Sequence, residues 1–257
     1  MRHLFENWRQ IGQRLRSAET VALFLDFDGT LAAVRARPEQ AALDGATRRA
    51  LRQLVHCPRM QVCVISGRKL DDVSSRLRVP GIAVMGLHGW DRESSEHGPA
   101  ARALGSRSSM LIDNARRELA ARLTPDSGVW IEDKGPTFSV HFRGAATPAI
   151  RQARTALAEV LDPLRGALRV LHGDQVWEVV PREVRGKGVA ARRRFRAFRH
   201  ALPVYAGNDA TDEPAFQALA RGVTIRVGPV RPSRARFSLR SPAEVRQFLE
   251  RILEEMR

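Results

Sequence analysis

The chain is short of several residue types, and each shortage excludes something. Only two cysteines, Cys57 and Cys63, occur in 257 residues. That argues against a disulfide framework and makes a reducing, cytoplasmic setting the expectation. Two thiols with no histidine cluster also make a poor zinc site. No apolar run approaches the ~20 residues needed to span a bilayer. The opening MRHLFENWRQ lacks the apolar stretch of a secretory leader, so neither membrane insertion nor export is expected. With one tyrosine and 6% aromatic residues there is little with which to stack nucleic-acid bases, and a nucleic-acid partner is not expected. Lysine is rarer than any other charged residue: Lys69, Lys134 and Lys187 stand against 40 arginines. Where such a chain keeps a lysine, the chemistry of an ammonium is a reason to look.

Apolar residues make up 43% of the chain, enough for one large domain or a domain carrying a smaller insertion. The 43 basic residues exceed the 28 acidic ones, giving a net charge of +15. A nucleic-acid binder, a surface-associated protein and an enzyme for an anionic substrate all fit that excess. Spread along the whole chain beside many alanines, it reads first as a solvated basic exterior.

The patterning is that of an α/β protein. Residues 21–25, 61–65 and 82–85 are short apolar runs that each stop at a turn, as strands buried on both faces do. Leu51 and Leu54 lie between the first two at helical spacing, making a strand–helix–strand unit. The pattern then changes. Helices at 106–123 and 148–161 are each followed by two alternating stretches, near 129–132 and 138–142, then near 168–171 and 176–180. Tight turns at 133–136 and 172–174 join the members of each pair, which predicts an antiparallel sheet with helices on one face. Afterwards a basic helix at 187–199, strands at 203–206 and 223–227, and helices at 213–220 and 243–256 resume the parallel pattern. The expected organisation is therefore a Rossmann-like core from 1–99 and 184–257, interrupted by a small α+β domain at 100–183.

Loops at the carboxyl ends of parallel strands converge on one crevice. Here they would bring together Asp26, Asp28 and Thr30, then Ser66, then Asn208, Asp209 and Asp212. Such a cluster of hard oxygens suits Mg²⁺, which prefers a few protein oxygens with phosphate and water. A lone DFDGT is compatible with a simple turn. Followed at strand ends by ISGR and by GNDATDE, it reads as a site.

At these residues the chain resembles the haloacid dehalogenase-like (HAD) hydrolases, and within them the trehalose-6-phosphate phosphatases. The resemblance runs from LFLDFDGTLA through VISGR, GLHGWD, IEDKGPTFSVHFR, VWEVVP, RGKG and GNDATDEPAF to a late RVG. It implies a HAD core with an inserted cap, Mg²⁺ as cofactor, trehalose 6-phosphate as substrate, and a functional link to a trehalose-6-phosphate synthase. Asp26 is then the nucleophile and Asp28 the general acid/base, with the Asp28 carbonyl on the metal. Ser66 and Lys187 bind the phosphoryl group, and Phe27, Gly67 and Arg68 are further substrate contacts. Glu132, Lys134 and Glu178 recognise sugar, joined by Arg143 and His88. Relatives carry an aspartate where this chain has Asn208, so the last metal ligand is left among Asn208, Asp209 and Asp212.

Two other readings share these residues. One is another HAD-type sugar-phosphate or glycosyl-phosphoglycerate phosphatase. The other is a non-catalytic regulatory or nucleic-acid-binding protein, favoured by the +15 charge, the run Arg192-Arg193-Arg194 and the asparagine at 208, but opposed by the intact Asp26, Asp28, Ser66 and Lys187.

Overall fold

A computed structural model describes residues 1–35, 37–92, 106–198 and 200–256. The chain forms two compact units, Met1–Glu93 with Arg185–Arg257, and Ser94–Val184. In the first unit the described elements are β1 (Arg2–His3), α1 (Trp8–Ser17), β2 (Thr20–Leu25), α2 (Gly45–Val55), β3 (Met60–Ile65), α3 (Leu70–Leu77), β4 (Ala83–Gly86) and β5 (Asp91–Arg92). The second unit holds α4 (Ser106–Arg122), β6 (Trp130–Asp133), β7 (Phe138–His141), α5 (Thr147–Leu161), β8 (Leu168–Gly173) and β9 (Val176–Pro181). The chain then returns to the first unit with α6 (Lys187–Phe195), β10 (Ala201–Gly207), α7 (Glu213–Ala218), β11 (Val223–Val227), β12 (Phe237–Leu239) and α8 (Pro242–Met256).

The first unit is a three-layer α/β sandwich. Its sheet runs β1-β12-β11-β10-β2-β3-β4-β5, parallel throughout except for the β4–β5 pair. β2 shows why the run at its start is wholly apolar. Val21, Leu23 and Leu25 join a core with Leu51, Leu54, Phe248 and Ile252 from α2 and α8. Ala22 and Phe24 face the other way, onto Ala190, Ala191 and Phe216 from α6 and α7. A strand clothed on both sides has no place for alternation. The chain leaves β2 for β3 and β4 on one side, and on its return places β10 on the other. β2 and β10 thus flank a topological switch point, where ligands of such sheets bind beyond the strand ends.

The second unit is an antiparallel sheet of order β6-β7-β9-β8. Phe138, Val140, Trp177 and Val179 pack on Ile112, Leu119, Leu157 and Val160 of α4 and α5. The opposite face carries Trp130, Glu132, Ser139, His141 and Glu178, of which Glu132, Ser139 and Glu178 stand in register across β6, β7 and β9.

α6 stops at Phe195, short of the 199 expected, and Arg199 itself lies outside the described residues. The N–H groups of Ala197 and Phe198 turn back onto the carbonyls of Arg194 and Phe195, three residues earlier, and the tightened turn closes the helix. The 99/100 boundary expected for the inserted domain also falls outside the described residues.

Candidate active site

The site is built at the carboxyl end of β2. The main-chain N–H of Asp26 donates to Ala206 O at 2.9 Å, which ties the first residue after β2 to the end of β10. The loop then folds back tightly, with the N–H groups of Leu31 and Ala32 both donating to Phe27 O at 2.9 Å. Asp26 is 3% exposed. Thr30 Oγ1 donates to its Oδ2 at 3.2 Å, and Lys187 Nζ donates to its Oδ1 at 2.6 Å. Lys187, the first residue of α6, is also 3% exposed and reaches Asp212 Oδ1 at 2.9 Å. Asp212 has no exposure at all. It accepts further from Tyr205 Oη at 2.8 Å and from the Asp209 N–H at 2.9 Å.

This buried network sets the charge states. Burial lowers the Lys187 pKa, but Asp212 and Asp26 outweigh it and hold the ammonium protonated. Burial pushes the Asp26 carboxyl up, with Asp212 and Asp28 adding to the effect and Lys187 opposing it, to about 8. Two buried carboxyls therefore share one ammonium, and a cation beside Asp26 would favour its ionised form.

Asp28 stands differently. Its carboxylate is partly exposed and clasped by Arg68, with Nε on Oδ2 and Nη2 on Oδ1, both at 2.7 Å. Ser66 follows β3 and is buried, its Oγ accepting from the Arg68 N–H at 3.1 Å. Gly67 lies between the two. His88 follows β4 in a left-handed conformation, φ 58°, with its N–H on Ser66 O at 2.8 Å. Phe27, expected as a substrate contact, has its side chain in the core, so any contact falls to its main chain.

Among the described residues no three His, Cys, Asp or Glu side chains converge as a ready metal cluster. The donor set nonetheless fits a hard cation. Asn208 Oδ1 is buried without a hydrogen-bond partner, an acceptor left over for something absent from the protein. Its side chain presses against Gly29, where a Cβ would come within 2.1 Å of Asn208 Nδ2 and where φ is +81°. Only glycine allows that approach. The three candidate ligands differ in their other commitments. Asp212 is held by Lys187, Tyr205 and a main-chain N–H, Asp209 caps the turn at Ala210–Asp212, and Asn208 keeps a spare oxygen.

In the second unit, Lys134 Nζ lies 3.3 Å from Glu178 Oε2 and 3.9 Å from Glu132 Oε2. Glu132 also meets His141 Nε2 at 2.8 Å, and the His141 ring stacks on Trp130 with centroids 4.1 Å apart. Burial raises the Glu132 pKa, but the His141 hydrogen bond and Lys134 outweigh it and hold the carboxyl below its usual range. Arg143 is separate from this group and binds the Asp174 carbonyl and carboxylate at the β8–β9 turn, at 3.0 and 3.1 Å.

The family model for trehalose-phosphatase matches residues 24–243. The chain belongs to the trehalose-phosphatase family. It is 33% identical over 251 residues to a trehalose-phosphate phosphatase of Mycobacterium tuberculosis, a match covering 93% of this chain and 63% of that protein. The chain thus spans less than two thirds of the length of the curated relatives it matches. Its fold is that of the C-terminal domain of a C. albicans trehalose-6-phosphate phosphatase, with a TM-score of 0.82 at 22% identity, covering 96% of this chain and 97% of that one. A phosphatase of the HAD superfamily from Bacteroides thetaiotaomicron shares it at a TM-score of 0.60 and 16% identity, over 92% of this chain and 96% of that one.

For a trehalose-phosphatase family member, the sequence motifs pass over three groups that the structure adds. Tyr205 anchors Asp212 from within β10, and the signal for it is that the chain has one tyrosine, two residues before the GND loop. Asp72 holds Arg68 from behind at 2.7 Å, foreshadowed by the spacing of four. Trp130 and His141 flank Glu132, and no spacing rule distinguishes them from any other aromatic pair on a sheet face.

Proposed function

We propose that this chain hydrolyses trehalose 6-phosphate to trehalose and inorganic phosphate through an aspartyl-phosphate on Asp26. One observation carries the reading: a buried carboxylate at the strand end, gripped by the Lys187 ammonium at 2.6 Å, in a chain of this family. Lys187 holds nucleophile and phosphoryl charge together, the preorganised electrostatics that phosphoryl transfer needs. Asp26 attacks phosphorus, and the bond to the sugar oxygen breaks with its electron pair leaving on that oxygen. The Asp28 carboxyl supplies the proton it then takes. A water next attacks phosphorus and gives its proton to the Asp28 carboxylate, and the bond to Asp26 breaks to restore the enzyme. Ser66 donates its hydroxyl proton to a phosphoryl oxygen, and Gly67 and the Phe27 main chain line the same loops.

Mg²⁺ would be held by Asp26, the Asp28 carbonyl and Asn208 Oδ1, with Asp209 nearest in the chain as an additional oxygen. Bound there, it supplies positive charge to the phosphate oxygens. In the second unit Glu132, Lys134 and Glu178 would take sugar hydroxyls, with His141 orienting Glu132. His88 and Arg143 remain candidate substrate contacts.

The test is phosphate release from a panel of sugar phosphates with Mg²⁺ present. Trehalose 6-phosphate should be turned over far faster than glucose 6-phosphate, and Asp26→Asn should abolish turnover of both. Equal rates on the two sugars would remove the disaccharide assignment while leaving a phosphatase.

A further inference from the structure

The guanidinium of Arg68 is already engaged within the protein. Besides its two bonds to Asp28, Nη2 donates to Pro38 O and Nη1 to Asp72 Oδ2, each at 2.7 Å. Of the five N–H donors that a guanidinium owns, these bonds use four. The group also lies over the Phe27 ring, 5.6 Å from its centroid. Its side chain is 8% exposed against 41% for Asp28, so the clasp approaches from the protein side and leaves the outer edge of the carboxylate open. Behind it the support continues. Asp72 Oδ1 accepts from Arg76 Nε at 2.7 Å, and Arg76 Nη1 donates to the carbonyls of Glu39 and Ala41 at 2.9 and 2.7 Å. Asp72 and Arg76 stand four apart on α3 and form a charged stripe, which meets Arg68 just ahead of the helix.

A bidentate fork fixes the plane of a carboxylate as well as its place, which a single ammonium cannot do. We propose that Arg68 is the positioning residue of Asp28, setting the carboxyl for its proton transfers, and that it makes no required bond to the phosphate. The proposal rests on the phosphatase reading above. It separates Arg68 from Lys187: one acts on the leaving oxygen through Asp28, the other on the phosphoryl charge.

Leaving-group dependence distinguishes the two roles. A sugar oxygen departs only with a proton, whereas 4-nitrophenolate departs readily without one. In kcat/KM, which reports the steps up to enzyme phosphorylation, Arg68→Lys should lose about a hundredfold on the best sugar phosphate, within the range that general acid catalysis supplies. On 4-nitrophenyl phosphate it should lose less than about threefold. Asp72→Asn, which cuts the support behind Arg68, should show the same selective loss at smaller size, and Asp28→Asn at larger size. Equal losses on both esters, for either the Arg68 or the Asp72 variant, would assign the effect to phosphate binding or to folding and overturn the proposal. So would full activity of Arg68→Lys on the sugar ester. A wild-type protein that hydrolyses neither ester sinks the phosphatase reading itself, and the role of Arg68 with it.

Discussion

On the proposed reading Asn208 would offer Mg²⁺ an amide oxygen where a charged carboxylate would bind a divalent cation more strongly, because ligand charge tunes such affinities. Asn208→Asp should therefore lower the Mg²⁺ concentration giving half-maximal phosphate release by about tenfold. A metal titration that shows no change would remove residue 208 from the ligand set. Gly29 is bound to the same choice. Gly29→Ala forces a left-handed conformation on alanine and drives its Cβ into Asn208, so it should raise the Mg²⁺ requirement and lower the melting temperature together. Tyr205→Phe keeps the ring and removes one hydrogen bond to the buried Asp212. It should cost about 1–3 kcal/mol in urea unfolding, since a buried carboxylate loses a donor. At this scale the sequence was informative where strand ends and helix starts carry chemistry: Asp26, Lys187 and Asp212 are brought into one network. For Arg68 it pointed to a substrate contact and gave no sign of the Asp28 clasp, because one arginine among 40 does not announce its partners.

The elements were legible in proportion to their apolar content. The apolar stretches of β2 and β3 are buried on both faces, β11 is buried throughout although Thr224 and Arg226 interrupt its apolar residues, and α5 and α8 show their buried positions at helical spacing. β1 and β12 are two and three residues long and pair with each other across the whole chain, so no local pattern announces them. α3 is eight residues of mixed composition, LDDVSSRL, stabilised by Leu70, Val73 and Leu77 in the core and not by propensity. α2 begins with a clear device: Asp44 Oδ1 accepts from the N–H groups of Ala46 and Thr47, and Thr47 Oγ1 donates to Oδ2. Burial raises the Asp44 pKa, but these hydrogen bonds together outweigh it and hold the carboxyl below its ordinary value. A carboxyl lowered in the fold contributes stability above its unfolded value, about 3.9, and loses it as the pH falls through the folded value. Asp44→Ala should thus cost about 1 kcal/mol at neutral pH, and the gap to the wild type should narrow by pH 3 in urea unfolding.

At the scale of the whole molecule, the two units have hydrophobic cores of their own. The cluster around Phe138, Val140 and Leu157 draws only on the second unit, while the two clusters flanking β2 draw only on the first. Phe138→Ala should destabilise by about 3–5 kcal/mol, with loss of hydrogen-exchange protection confined to residues of the second unit. Hydrolysis of 4-nitrophenyl phosphate should persist while turnover of the sugar ester falls. Loss of both activities together would mean that the two cores fold as one cooperative body. Some of the arginines behind the net charge of +15 bind main-chain carbonyls, as Arg48 and Arg59 do. The scarcity of lysine has a practical sequel. Two of the three ε-amines are enclosed, so an amine-selective dye or tether meets a single open lysine, Lys69 at the head of α3. Attached there, a fluorophore would report from beside the charged stripe of that helix without any engineered cysteine.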